Sequence, residues 1–149
     1  MKVLVSACLL GEKCKWNGRD NLNQAVVSLK DKVEFIPVCS EVMAGMPTPR
    51  IPCEIVGEKV FNQIHLDVSK YFEHGRNQIL KIALKNDIKY AIFKDGSPSD
   101  GVHKIYDGTF SRNKISGKGR VTSLLEENNI KVYSEDEVDL FIQEVLVRN

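Results

Sequence analysis

The sequence predicts an α/β fold in which a mainly parallel sheet is flanked by helices. Short apolar runs that suit buried strands alternate with longer segments in which apolar residues recur at helical spacing. This alternation is typical of βα units, whose strands lie parallel in one sheet. The length of 149 residues fits a single domain, residues 1–149, with enough chain to bury a core without disulfides.

Four apolar runs are predicted to form the sheet. They are residues 3–7, 33–38, 90–93 and 130–133. Residues 54–61 are predicted to form a small β-hairpin that turns at Gly57 and Glu58. The stretch 46–52 contains three prolines, so it is predicted to be an irregular loop.

Four other segments are predicted to be helical because apolar residues recur in them every three or four positions. They are residues 21–30, 67–86, a stretch within 117–128, and 134–146. Gly75 interrupts the apolar stripe of the longest one. Ser134 is a suitable N-cap for the last. Together these elements predict a Rossmann-like sheet with the hairpin as an insertion.

Composition and charge narrow the range of partners. Hydrophobic residues make up 42% and charged residues 28% of the chain, and the net charge is +1. A near-neutral chain does not favour long nucleic acid, so a small anionic or neutral ligand is expected. The apolar N-terminus lacks a signal-peptide pattern, and no apolar run approaches the length of a membrane span. We therefore expect a cytoplasmic protein without a membrane partner.

Side chains with useful chemistry follow three of the predicted strands. Cys8 follows the first strand, Cys39 and Glu41 follow the second, and the segment 97–101 follows the third. In parallel α/β sheets, ligands bind beyond the carboxyl ends of the strands. We therefore expect two thiols, two carboxylates and two hydroxyls to meet in one pocket.

Each of these features has a structural and a functional interpretation. Cys8 and Cys39 are either small buried apolar residues or a pair of soft ligands for a thiophilic metal. A nucleophilic thiol would need a nearby histidine, and the three histidines lie in polar segments. Glu41 is either a charge at the start of a helix or an acid or base in the pocket.

The loop segments leave further alternatives open. Residues 97–101 are typical of a turn, and their N–H groups and hydroxyls could also bind an anion. Arg50 suits either a phosphate or carboxylate ligand or a surface salt bridge. Residues 117–120 precede a helix and resemble a phosphate-binding segment, although the full Walker A pattern is absent. Cys14 and Cys53 lie in loops and are interpreted as spare thiols.

Five segments, taken in order along nearly the whole chain, resemble the thiouracil desulfurase family. They are Ser-Ala-Cys-Leu-Leu-Gly at 6–11, Pro-Val-Cys-Ser-Glu at 37–41, Pro-Thr-Pro-Arg at 47–50, Ser-Pro-Ser-Asp-Gly at 97–101 and Ile-Tyr-Asp-Gly-Thr-Phe at 105–110. The resemblance implies a [4Fe–4S] enzyme that converts a thiolated pyrimidine, such as thiouracil, to the oxygenated base and sulfide.

The resemblance also implies the cluster ligands, with one departure. Cys8 and Cys39 match the first two ligand cysteines of the family, but Asp100 stands where the family has its third cysteine. Asp100 itself could ligate iron through oxygen, which would give a more labile cluster. Alternatively Cys14 or Cys53 supplies the third thiolate, or the chain has lost the cluster and the activity.

In the mechanism that the resemblance implies, an open iron binds the substrate sulfur and polarises the C–S bond. Glu41 activates a water that attacks the ring carbon, and Ser97 hydrogen-bonds the ring. Arg50, Ser99 and Gly101 are expected to contact the substrate. No net electron transfer is needed, so no flavin or nicotinamide is implied. The rival interpretations are a cluster-free protein that binds a nucleobase or nucleotide, and an iron–sulfur protein that carries sulfide.

Overall fold

The computed structural model describes residues 1–147. The strands are β1 (Lys2–Ser6), β2 (Glu34–Val38), β3 (Cys53–Val56), β4 (Lys59–Asn62), β5 (Tyr90–Phe93), β6 (Lys104–Tyr106), β7 (Lys114–Ser116) and β8 (Lys131–Ser134). The α-helices are α1 (Gln24–Val27), α2 (Ser40–Met43), α3 (Ser69–Lys85), α4 (Arg120–Glu127) and α5 (Val138–Phe141). Within residues 1–147, no helix is both long and apolar enough to cross a membrane.

Four parallel strands form the central sheet in the order β2-β1-β5-β8. β1 pairs with β2 along its whole length, from Lys2 opposite Glu34 to Ser6 opposite Val38. The α/β prediction with a mainly parallel sheet is therefore confirmed. Because β1, β2 and β5 are neighbours with the same direction, their carboxyl ends meet at one edge of the sheet.

Helices cover both faces of this sheet, and the alternation along β1 shows how. Leu4 packs in one cluster with Ile79 of α3 and Leu125 of α4. The opposite cluster contains Val3, Val5, Val26 and Phe141. All of these side chains are almost completely buried. Burial of each such side chain contributes about 1.5–3 kcal/mol, and this two-sided core fixes the strand ends that carry the candidate site.

The first and the last predicted helices differ from the structure. Residues 21–30 were expected to be one helix, but only Gln24–Val27 is α-helical and a 3-10 turn, Ser28–Asp31, follows. The N–H groups of Asn21 and Asn23 donate instead to the carbonyls of Cys8 and Leu9, which keeps the segment before α1 out of the helix. The segment after Ser134 starts as a 3-10 turn, passes through α5 and ends in a π-helical turn, Ile142–Leu146.

The structure also contains two hairpins where the sequence predicted one. β3 and β4 form the predicted antiparallel hairpin. β6 and β7 form a second one, which was not predicted. Its strands have only three residues each, and β7 is exposed throughout, so they carry no buried apolar stripe.

Gly75 of α3 allows close packing against α2. A Cβ atom built on Gly75 would lie 2.5 Å from the carbonyl oxygen of Ser40, a backbone atom that cannot rotate away. The glycine that interrupts the apolar stripe therefore sets the distance between α3 and the helix that follows Cys39.

We expect Gly75→Ala to destabilise the fold by about 1–3 kcal/mol, the usual cost of overpacking, although alanine is the better helix former. Urea unfolding measures the change. Asn77→Ala is the control, because Asn77 is exposed on the same helix, and it should change stability by only a few tenths of a kcal/mol. Equal stability of Gly75→Ala and Asn77→Ala would contradict the packing argument.

Candidate active site

Three strand ends and the loops after them build the candidate site. Cys8 lies in the 3-10 turn that follows β1. Cys39 follows β2 and is the N-cap residue of α2, which places Glu41 in the first turn of that helix. The loop 97–101 follows β5. Because the three strands are adjacent, these segments converge as the sequence predicted.

Glu41 connects the second and third segments. The hydroxyl of Ser99 donates to Glu41 Oε1 at 2.6 Å, and the thiol of Cys39 lies 3.6 Å from Glu41 Oε2. The hydroxyl of Ser97 is 2.9 Å from that of Ser99. The Glu41 side chain is 13% exposed, so the carboxylate is held by these contacts and still has an accessible edge.

Asp100 is the most unusual group at the site. It is 8% exposed, and its Oδ2 accepts a 2.6 Å hydrogen bond from the hydroxyl of Ser6. Its Oδ1 is buried and has no hydrogen-bond partner within residues 1–147. Burial raises the pKa of Asp100 to about 7, and the nearby negative charge of Glu41 adds to the shift. A buried carboxylate oxygen without a partner is costly unless a ligand satisfies it.

This raised pKa predicts a pH dependence for the metal-free protein. The Asp100 carboxyl binds a proton more tightly in the folded than in the unfolded chain, so its contribution to stability is present below about pH 4 and is lost as pH rises through about 7. We expect metal-free Asp100→Asn to lack this part of the stability loss. Urea midpoints measured at pH 5 and pH 8 for both proteins test it, and an identical pH response would contradict it.

The loop that carries Asp100 is held from inside by hydrogen bonds. Ser97 Oγ accepts from the N–H groups of Ser99 and Asp100, both at 3.1 Å. Asp95 Oδ1 accepts four backbone N–H groups, from residues 96, 102, 103 and 104. Burial alone would raise the pKa of Asp95, but these four bonds outweigh it and lower the pKa. The sequence analysis missed Asp95, whose role depends on contacts up to nine residues away.

Gly101 has a structural role within this loop. Its N–H donates to the carbonyl of Ser97 at 2.9 Å, and a Cβ atom there would lie 2.7 Å from the carbonyl oxygens of both Ser97 and Lys104. Only glycine fits this turn. The N–H of Gly101 is therefore already paired within the protein.

Cys8 and Cys39 are free, half-buried thiols. Burial raises the pKa of Cys8 to about 12, although a 3.4 Å hydrogen bond from Asn21 Nδ2 opposes this shift. A hydrogen bond to the side chain of Cys14 raises the pKa of Cys39 and lowers that of Cys14, and burial raises that of Cys39 further. Without a metal, Cys8 and Cys39 are therefore thiols, and metal binding would release their protons.

Cys14 lies closer to the site than its loop position suggested. It was interpreted as a spare thiol, but its side chain contacts Cys39, and its carbonyl lies 3.8 Å from Cys39 Sγ. Cys53 donates to the carbonyl of Ile51 at 3.4 Å, and burial raises its pKa to about 11. Of the two loop cysteines, Cys14 is the one in contact with a predicted ligand.

Arg50 is inside the site, not in a surface salt bridge. Its side chain is 8% exposed, and its guanidinium donates to the carbonyl of Cys14 at 2.9 Å. The same group is 3.8 Å from Glu41 Oε2. Arg50 thus places a positive charge beside the Glu41 carboxylate and ties the proline-containing loop to the segment that carries Cys14.

The donor atoms of Cys8, Cys39 and Asp100 can be compared with what iron prefers. Within residues 1–147, no three histidine, cysteine or acidic side chains converge closely enough to hold one metal ion. The soft sulfurs of Cys8 and Cys39 suit iron, and the unpartnered Oδ1 of Asp100 offers a third donor.

Comparison with known proteins gives consistent results. The model of the 2-thiouracil desulfurase family matches residues 3–137. The uncharacterized protein YbbK of Bacillus subtilis (strain 168) is 33% identical over 147 positions, which cover 92% of this chain and 97% of that protein. The solved structure of the [4Fe-4S]-dependent thiouracil desulfidase TudS superposes with a TM-score of 0.92 at 35% identity, over 98% of both chains.

Proposed function

Because the chain belongs to the 2-thiouracil desulfurase family, we propose that it removes sulfur from a thiolated pyrimidine base or nucleotide, converting thiouracil to uracil and sulfide. The cofactor in this proposal is a [4Fe–4S] cluster, as in the similar desulfidase. Residues 1–149 act as one domain on a small substrate in the cytoplasm. The observation that carries the proposal is the carboxylate of Glu41, held between the Cys39 thiol and the Ser99 hydroxyl.

In this proposal, Cys8, Cys39 and Asp100 hold the cluster. The thiols would bind as thiolates, and Asp100 would use the oxygen that lacks a partner in the protein. When bound, the cluster would supply Lewis-acid chemistry for cleavage of the C–S bond. Two thiolates with one oxygen ligand make a more labile site than three thiolates, since oxygen is the harder donor.

Glu41 acts as the general base. Its carboxylate takes a proton from a water molecule as that water attacks the ring carbon that carries sulfur. The hydrogen bond from Ser99 fixes the orientation of the carboxylate, and the guanidinium of Arg50 balances its charge. Water contributes the oxygen and the sulfur leaves as sulfide, so the reaction needs no net electron transfer.

The loop 97–101 and Arg50 position the substrate ring. Ser97 donates its hydroxyl proton to Ser99 in this structure, because Ser99 gives its own proton to Glu41, so in this proposal Ser97 turns from Ser99 to hydrogen-bond the ring. Ser99 and Arg50 line the same region through their contacts with Glu41. Gly101 contributes the shape of the turn, since its N–H is paired with Ser97.

The test is the iron and acid-labile sulfide content of anaerobically reconstituted protein, together with sulfide release from 2-thiouracil and 4-thiouracil. About four irons per chain and stoichiometric formation of uracil and sulfide support the proposal. Iron without sulfide release from either compound would favour a sulfide-carrying protein. Absence of iron, with measurable affinity for uracil or a nucleotide, would favour a cluster-free binding protein. That alternative is considered because position 100 is an aspartate, where the family has its third cysteine.

A further inference from the structure

A cavity lies away from the candidate active site. It has a volume of about 130 Å³ and is lined by residues of the β3–β4 hairpin, α3 and the start of α4. Two arginines, Arg76 and Arg120, and two glutamates, Glu58 and Glu73, contribute its charged groups. None of its lining residues belongs to the candidate active site.

Within residues 1–147, no carboxylate lies within ion-pair distance of the Arg76 guanidinium. It is half-buried on α3, and its Nε is completely buried without a hydrogen bond within residues 1–147. Over the same described range, its guanidinium forms no ion pair within 4 Å and no side-chain hydrogen bond. A guanidinium carries five donors, and a buried donor without an acceptor costs free energy. The cavity beside Arg76 is where an acceptor would fit.

Arg120 brings a second positive charge to the same cavity. Its guanidinium donates to the carbonyl of Gly57 at 3.2 Å, and no carboxylate pairs with it in the described chain. Burial lowers the pKa of Arg120 and the nearby charge of Arg76 lowers it further, while the negative charge of Glu58 partly opposes both effects. Two guanidiniums that repel each other across one cavity are stabilised by an anion that accepts hydrogen bonds from both.

The backbone N–H groups at the start of α4 are not available as hydrogen-bond donors to an anion in this cavity. The N–H groups of Gly119, Arg120 and Val121 already donate to the carbonyls of residues 101, 98 and 99 at 2.8–2.9 Å. The segment 117–120, which resembled a phosphate-binding helix start, therefore uses its N–H groups to hold the site loop. Any anion would be bound by the arginine side chains, in a space with room for several water molecules.

We propose that this cavity binds a small tetrahedral oxyanion of the phosphate class, held between Arg76 and Arg120. The planar fork of each guanidinium matches two oxygens of such an ion. Because the Arg120 guanidinium donates to the carbonyl of Gly57, the bound ion would lie beside the turn of the β3–β4 hairpin.

Calorimetric titration of the full chain with inorganic phosphate, at constant ionic strength, tests the proposal. We expect saturable binding to the wild type, and a loss of affinity of at least tenfold in Arg76→Gln and in Arg120→Gln, since each removes charge-assisted hydrogen bonds. Lys81→Gln is the matched control, because it removes one exposed positive charge from the same helix, and its affinity should stay within about twofold.

Glu73→Gln is an independent variant that should change the affinity for phosphate in the opposite direction. It removes a negative charge from the cavity lining, so phosphate should bind more tightly, and the result does not depend on the arginine variants folding. Phenyl phosphate in the same titration distinguishes a free ion from a phosphate group on a larger molecule. Absence of saturable phosphate binding to the wild type, or equal weakening by Lys81→Gln, overturns the proposal.

Discussion

Asp100→Ala is expected to abolish cluster binding, whereas Asp100→Cys is expected to strengthen it. The wild type should hold about four irons per chain after anaerobic reconstitution, the content of one [4Fe–4S] cluster. Asp100 Oδ1 is a buried acceptor without a partner in residues 1–147, so the alanine variant removes the proposed third ligand atom. A thiolate at the same position is a softer ligand and should slow iron loss to a chelator.

Iron and acid-labile sulfide content, together with the visible spectrum, measures how much cluster each Asp100 variant binds. Two cysteine variants are measured beside them. Cys53→Ala is the control, since its thiol bonds only to a nearby carbonyl, and it should keep full iron content. Cys14→Ala tests the loop cysteine that contacts Cys39 as an alternative third ligand. Iron retained in Asp100→Ala but lost in Cys14→Ala would assign the third position to Cys14. If the wild type held no iron and Asp100→Cys held a cluster, the proposed desulfurase activity of this chain would be contradicted.

Much of the sheet could be predicted because the signals are local. The run 90–93 is apolar, short and buried, and β5 has those bounds in the structure. Ser134 was identified as a cap, and it forms a capping box with Glu137. The second hairpin could not be predicted, because Lys104–Tyr106 and Lys114–Ser116 lie largely at the surface. Its position depends on a bridge between Gly96 and Ile105, which no local pattern indicates.

The strand-end rule explains why part of the site could be predicted. Parallel strands end at one edge, which brings the residues after β2 and β5 together, and the bond between Glu41 and Ser99 joins them across 58 positions. The contacts of Cys14 and Arg50 could not be predicted in the same way. Both lie in loops that fold back on each other, and the N–H of Arg50 donates to the carbonyl of Trp16. Proline content indicates an irregular loop and gives no information about where that loop packs.

Glu41→Gln is expected to keep the cluster and lose turnover by about 10²–10⁴-fold, the usual contribution of general acid–base catalysis. Glutamine has the same shape, and its carbonyl oxygen can still accept the hydrogen bond from Ser99. It cannot take a proton from water. Arg50 keeps its bond to the carbonyl of Cys14, so the loops around the site should stay in place.

Sulfide release and iron content, measured on the same preparation, separate catalysis from cluster assembly. Glu12→Gln is the control, because Glu12 is an exposed acid that influences Cys14 only through its charge, and it should keep near-normal turnover. Normal turnover in Glu41→Gln would remove Glu41 from the mechanism. Loss of iron together with turnover would instead make Glu41 a group that supports Cys39 through the 3.6 Å contact between them. If iron content stays normal and turnover is lost, the carboxylate acts on the reacting water. Glutamine keeps the shape of the side chain, Glu12→Gln controls for the loss of one negative charge, and the iron content shows that the cluster is present.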